Sequence, residues 1–171
     1  MKGEPKALST EVSNKGYLSV QIEPMRVRDL DAVLAIERVS FPTPWSRYAY
    51  LSELLENDRA YYLVARTRDR RVAGYIGMWL ILDEGHITTI AVHPLQRGRG
   101  IGQQLLAAAE AIARERGASR VTLEVRVSNT AAHSLYRKIG FVDAGIRPGY
   151  YRDNNEDAII MWKELFTGES F

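Results

Sequence analysis

Residues 86–106, HITTIAVHPLQRGRGIGQQLL, constrain the fold more than any other stretch of the chain. HITTIAV reads as a strand, and the glycines and arginines of RGRGIG then interrupt the pattern. Ile101, Leu105, Ala109, Ile112 and Ala113 follow on one side of a helix, and Gly117 is a C′ stop. Arg120 to Val127 reads as the next strand. Strand, turn, helix and strand in this order make a β-α-β crossover, which places two parallel strands in one sheet.

The rest of the chain supplies partners for that unit. Leu18, Val20 and Ile22 alternate with polar residues, so 18–23 reads as a strand. Asp29 reads as the N-cap of a helix carrying Leu30, Val33, Leu34 and Ile36. The prolines of FPTPWS, 41–46, stop it, and Ser46 caps a second helix. AYYLVAR at 60–66 and VAGYIGMWLIL at 72–82 read as strands with short polar connections, as in antiparallel hairpins. Asn129 to Ile139 reads as a helix, and Phe141–Ala144 and Ala158–Trp162 as closing strands around a loop, RPGYYRDNNED. The order β-α-α-β-β-β-α-β-α-β-β predicts an α/β domain with a mixed sheet over residues 17–165. Residues 1–16 and 166–171 read as tails.

Composition removes several classes of function. The 171 residues contain no cysteine, which excludes a disulfide scaffold, a thiolate metal site and a cysteine nucleophile. Lys and Arg number 23 against 21 Asp and Glu, a net charge of +2, which does not suit a nucleic-acid-coating surface. No stretch approaches the ~18 apolar residues of a membrane helix. The N-terminus lacks the apolar core of an export signal, so a cytoplasmic location is expected. His86, His93 and His133 are not spaced as metal ligands, so no metal is expected.

Two features carry candidate chemistry. The turn 97–102 follows a strand and opens a helix, a setting in which backbone N–H groups and the helix dipole attract phosphate. The same glycines also suit a tight turn that needs positive φ at Gly98 or Gly100 and binds nothing. In VTLEVRV, 121–127, alternation puts Thr122, Glu124 and Arg126 on one face of a central strand. A partly buried Glu124 with a raised pKa is a candidate general base, and the alternative is an exposed Glu124–Arg126 pair. Leu135 and Ile139 read as core anchors of the following helix. That leaves Tyr136 on its flank, either a proton donor to a leaving thiolate or a packing residue.

Together these segments resemble a known family. IAVHPLQRGRGIGQQLL, with Arg97, Gly100 and Gly102 in an R-x-x-G-x-G pattern, is similar to the acetyl-CoA signature of the GNAT acetyltransferase superfamily. LEVRVSNTAAHSLYRKIGF at 123–141, FPTPWS at 41–46 and GYYRDNNEDAIIMW at 149–162 resemble the bacterial enzymes that acetylate the N-terminal alanine of a small-subunit ribosomal protein. The resemblance runs over about 25–163.

The resemblance implies a GNAT-like fold, with about six to seven strands, about four helices and splayed strands forming the acetyl-CoA cleft. It implies that Ile90, Ala91 and Val92 bind the pantetheine and acetyl carbonyl. The turn Arg97, Gly98, Arg99, Gly100, Ile101, Gly102 and Gln103 would take the pyrophosphate, and Asn129 the pantetheine arm. Glu124 would be the general base and Tyr136 the general acid.

An α-amine of pKa about 7.7–8.0 needs less help from a base than a lysine at about 10.4, and direct attack in a ternary complex needs no cysteine. Trp45, Tyr150 and Tyr151 are the residues expected to wall the acceptor slot. Asp153, Glu156 and Asp157 read either as a lure for a cationic amine or a basic peptide or as solvated loop charges. The acceptor expected is a protein N-terminus, with no nucleic acid and no membrane as partner. The alternatives are lysine side chains or small amines as acceptors, and a non-catalytic acetyl-CoA-binding module.

Overall fold

The computed structural model describes residues 17–166; the predicted tail 1–16 and all of the predicted tail 166–171 but its first residue lie outside the described residues. Seven strands pair in the order β1-β2-β3-β4-β5-β7-β6. They are β1 (Gln21–Pro24), β2 (Ala60–Arg66), β3 (Val72–Ile81), β4 (Glu84–Val92), β5 (Arg120–Arg126), β6 (Val142–Tyr151) and β7 (Glu156–Glu164). Four helices join them: α1 (Leu30–Ser40), α2 (Arg47–Leu55), α3 (Ile101–Glu115) and α4 (Thr130–Lys138). This is the predicted α/β architecture with its mixed sheet. By contact density the chain forms two compact units, and β3, β4 and α3 contribute residues to both.

The first unit comprises the described residues up to Met78 together with Thr89–Ala109. β1 pairs antiparallel with β2, Gln21 opposite Arg66 and Pro24 opposite Leu63. β1 is four residues long rather than the predicted span 18–23, and Leu18 instead gives its N–H to the carbonyl of Arg99 at 3.0 Å. The periodic apolar face of α1 enters the core with Leu30, Val33, Leu34 and Ile36, against Tyr50, Tyr62, Val64, Tyr75 and Ala91. Ser46 caps α2 as predicted, its Oγ accepting the Ala49 N–H at 3.1 Å. Asp29 stands at the start of α1, but its side chain makes no cap bond there: it is buried and accepts the Arg26 N–H at 2.9 Å and the buried guanidinium of Arg66 at 2.6 Å, and Glu23 accepts from that guanidinium at the same distance.

The second unit comprises Trp79–Thr88 and the described residues from Glu110 onward. β4 and β5 pair in parallel here, with Glu84 opposite Arg120, Gly85 opposite Val121 and His86 opposite Thr122. β5 is central, running antiparallel to β7 on its other side with Glu124 opposite Ile160. Val121, Leu123, Val125, Phe141, Ala158 and Met161 are buried here. Glu110, also buried, is neutralised by Lys163 at 3.0 Å.

The closing hairpin differs from the prediction. Residues 147–151, read as part of the loop RPGYYRDNNED, belong to β6 in spite of Pro148 and Gly149, and β7 starts at Glu156. β6 is the edge strand, where a proline removes no obligatory ladder bond, and an irregularity between Arg147 and Tyr151 absorbs it.

Candidate active site

In the first unit, β4 delivers Ile90, half-buried, Ala91, buried, and Val92, half-buried, to a short 3₁₀ turn, Pro94–Gln96. His93 opens that turn, its Nδ1 accepting the Leu95 N–H at 3.1 Å. The glycine turn follows. Gly98 has φ +77° and Gly100 φ +75°, backbone conformations that glycine adopts without steric cost. A Cβ on Gly98 would meet nothing within 4 Å.

A Cβ on Gly100 would strike the ring of Tyr17 at 1.6 Å. Gln104 ties the same turn down, its Nε2 donating to the carbonyls of Leu18 at 2.9 Å and Gly100 at 3.3 Å. Gly100 is therefore fixed by the chain's own Tyr17, a constraint that no local motif displays.

The two arginines expected at a phosphate have other partners. Arg97 donates from Nε to the carbonyl of Val92 at 2.9 Å and from Nη2 to Ser40 Oγ at 3.2 Å. Arg99 donates to Gln96 Oε1 at 3.2 Å. What the turn itself offers an anion is its backbone N–H groups, because the first N–H groups of α3, from Ile101, Gly102 and Gln103, have no intrahelical acceptor.

Trp45 also lies in the first unit. It is half-buried, with its ring 5.4 Å from that of Tyr50. Its backbone N–H reaches Glu37 Oε1 at 3.1 Å.

In the second unit, Glu124 is the centre of a charged and aromatic cluster. Its Oε2 lies 2.7 Å from Nε2 of His86, and its Oε1 is 3.5 Å from Nε of Arg147. Burial pushes the carboxyl pKa up, but the hydrogen bond and charge of His86, with the charge of Arg147, outweigh it. The carboxyl is held below its ordinary value, opposite to the raised pKa expected. The alternative reading, an exposed Glu124–Arg126 pair, does not hold either. Arg126 turns to Asp153 at 3.0 Å and Glu156 at 3.2 Å, with its guanidinium 3.9 Å from the ring centre of Tyr151.

Those carboxylates are accordingly committed within the fold. Glu156 also accepts the Ser128 N–H at 2.7 Å, and Asp157 accepts the Gly149 N–H at 2.8 Å. They pin the hairpin instead of presenting a lure for an amine.

Tyr136 is 8% exposed, while Leu135 and Ile139 are only half-buried, which reverses the predicted roles on α4. Its ring packs on Phe141 at 5.9 Å, and burial pushes its hydroxyl up to about 12. Tyr150 and Tyr151 meet edge to face at 5.1 Å. Burial raises both phenols, and the charge of Glu124 adds to the rise in each. Asn129 caps α4 through Oδ1, which accepts the Ala132 N–H at 3.2 Å and leaves its amide N–H groups to offer a ligand.

The second unit thus gathers Glu124, Tyr136, Tyr150 and Tyr151. To them it adds His86 and Arg147, which the sequence reading did not select. A signal for His86 existed in the alternation of HITTIAV, but the register that sets it beside Glu124 is a property of the folded sheet.

Among the described residues no group of three or more acidic or histidine side chains is placed to hold a metal ion. None of their helices is long and apolar enough to cross a membrane.

The acetyltransferase (GNAT) family model matches residues 30–141. A Bacillus subtilis (strain 168) protein provisionally named as a [ribosomal protein bS18]-alanine N-acetyltransferase is 47% identical over 138 residues, covering 81% of this chain and 91% of its own. The Escherichia coli (strain K12) protein named [ribosomal protein bS18]-alanine N-acetyltransferase is 36% identical over 142 residues, covering 82% and 94%. The crystal structure of the ribosomal-protein-S18-alanine N-acetyltransferase from Escherichia coli superposes with a TM-score of 0.78 at 33% identity, over 89% of this chain and 98% of that one.

Proposed function

The chain belongs to the GNAT family of acetyltransferases, and from that premise we propose that it acetylates the α-amine of a protein N-terminus, the alanine of a small-subunit ribosomal protein. The relatives carry that activity in their names. The observation in this chain that carries the reading is the Glu124 cluster, a carboxylate on the central strand held ionised by His86 at 2.7 Å and Arg147 at 3.5 Å.

The chain's residues fit acetyl-CoA. Gly98 and Gly100 supply a turn whose backbone can approach an anion, Gly98 with open space at its α-carbon. We assign Arg97 to Gln103 as the pyrophosphate turn, its contribution being backbone N–H groups. Ile90 to Val92 are assigned to the pantetheine and acetyl carbonyl, and Asn129 to the pantetheine arm. Acetyl-CoA supplies the activated acetyl group as a thioester.

Glu124 takes the proton that the attacking ammonium must lose. An α-ammonium of pKa about 7.7–8.0 is within reach of a carboxylate that is ionised throughout the neutral range. Lysine, at about 10.4, needs a stronger base. Tyr136, as general acid, gives its hydroxyl proton to the departing sulfur, which leaves as the CoA thiol, and takes up the second proton that the nitrogen sheds as the amide forms. Its raised pKa keeps the hydroxyl protonated wherever the enzyme works. Trp45, Tyr150 and Tyr151 are assigned to the acceptor side, where flat rings suit a small first residue. Discrimination of about 1–3 kcal/mol per methylene makes that preference graded.

The test compares two peptides. One carries a free N-terminal alanine; the other has the same sequence with that amine blocked and an internal lysine free. Mass spectrometry is expected to find acetylation of the first alone. Faster modification of the blocked peptide overturns the assignment and makes the enzyme a lysine acetyltransferase.

A further inference from the structure

Glu37 is a carboxylate that the proposed chemistry does not use. It sits on α1 and is 1% exposed. The donors that the structure gives it are neutral. Oε1 accepts the backbone N–H of Trp45 at 3.1 Å; Oε2 accepts the hydroxyl of Tyr50 at 3.0 Å and that of Tyr75. A buried carboxylate is costly to desolvate, and replacing such a group with a well-packed apolar one is often neutral or stabilising. Core stability alone therefore gives a weak account of Glu37.

Its connections supply a better one. The Glu37 carbonyl accepts the Phe41 N–H at 3.0 Å, ending α1, while its side chain holds Trp45. One residue thus clamps both ends of the loop from Phe41 to Trp45, whose two prolines already stiffen it.

From the same carboxylate the network continues through Tyr75 on β3 to the side chain of Thr89 on β4. Thr89 immediately precedes Ile90–Val92, the strand segment assigned to acetyl-CoA. β3 lies tight on that segment, since a Cβ on Gly74 would meet the Ala91 carbonyl oxygen at 2.9 Å.

We propose that Glu37 is a positioning residue for acceptor selection, fixing the 41–46 loop against the β4 segment 89–92 through Trp45, Tyr50, Tyr75 and Thr89. This rests on the reading that the loop walls the acceptor slot. A slot that discriminates by a methylene must be held to a fraction of an ångström, and a loop without buried hydrogen bonds does not hold its shape so closely.

The experiment uses the full chain, acetyl-CoA and peptides beginning with Ala, Ser, Val and Trp. Glu37→Gln keeps the size but cannot satisfy all three donors as it stands. It is expected to raise KM for the alanine peptide about tenfold and to flatten the ranking of first residues, with KM for acetyl-CoA and kcat within about twofold. Tyr75→Phe cuts the link to Thr89 while sparing the Trp45 bond. It is expected to show the same pattern more weakly, and it carries the test if Glu37→Gln does not fold.

A lowered melting temperature with peptide KM and ranking unchanged overturns the proposal and makes Glu37 a core residue. Equal rises in both KM values overturn it as well. Trp45→Ala separates the two levels. If it leaves peptide KM and ranking unchanged, the loop is not the acceptor wall and the underlying reading fails. If it alters them while Glu37→Gln and Tyr75→Phe do not, the positioning role alone fails.

Discussion

His86 Nε2 lies 2.7 Å from Glu124 Oε2, joining neighbouring parallel strands at the residue assigned as general base. The pair sets the sign of the pH dependence. Burial raises the Glu124 pKa, and His86 with Arg147 lowers it by more. The charge state needed for a base therefore persists well into acid. His86→Ala removes the larger of the two lowering partners, so the acid limb of kcat/KM is expected to move to higher pH, while Arg147→Ala moves it the same way by less. An acid limb that stays put in His86→Ala shows that Glu124 is not the titrating base.

Glu124→Gln keeps the size of the side chain and removes its basicity. Turnover is expected to fall about 10²–10⁴-fold, with acetyl-CoA affinity within about twofold, as measured by single-turnover kinetics and calorimetry. The substitution also touches stability. Because the folded pKa is depressed, the contribution of Glu124 is present above its unfolded pKa of about 4.3 and is lost as pH falls through the folded value. Acid unfolding curves of the wild type and Glu124→Gln should converge at low pH. Unaltered turnover would return Glu124 to a structural ion pair.

Tyr136→Phe deletes one hydroxyl and leaves the ring against Phe141. The melting temperature is expected to change little and kcat to fall, by less than for Glu124→Gln because a thiol of pKa about 8.5 is a tolerable leaving group. With the hydroxyl up at about 12, no basic limb assignable to Tyr136 should appear below pH 11 or so. A variant that unfolds early but turns over normally would make Tyr136 a packing residue.

The two positive-φ glycines of the turn should separate. Gly98→Ala carries the backbone strain alone, about 1–2 kcal/mol, since its Cβ meets open space. Gly100→Ala carries the same strain and also drives a methyl into the Tyr17 ring, so it should cost more in denaturant unfolding. In a Tyr17→Ala background the excess should vanish. If Gly100→Ala costs no more than Gly98→Ala in the wild-type chain, the Tyr17 contact is not holding the turn.

Much of the element order was legible because its signals are local. The prolines at 42 and 44, the cap Ser46, and the positive-φ glycines at 98, 100 and 117 act within a few residues, and each stands where the sequence put it. Local rules failed at Pro148 and Gly149, which mark a turn in isolation and sit in a strand here because β6 is at the sheet edge. They failed again on α4, where spacing alone exposed Tyr136 and packing buried it.

By itself the sequence determined the β-α-β crossover, the glycine turn at its centre and the carboxylate on the central strand, because backbone periodicity and breaker residues act over neighbouring positions. It also carried the family, since the motifs of the turn and of 123–141 are contiguous runs. Only the tertiary structure decided who meets whom. Parallel register set His86 beside Glu124, and antiparallel pairing brought the 147–156 hairpin under Arg126 and Arg147 beside Glu124. Chain return laid Tyr17 on Gly100 and buried Glu37 among three donors from separate segments. Apart from the bonds of Glu37 to Trp45 and Tyr50, these contacts join residues more than twenty positions apart, and the geometry of all of them depends on strand register and core packing, which no local spacing encodes.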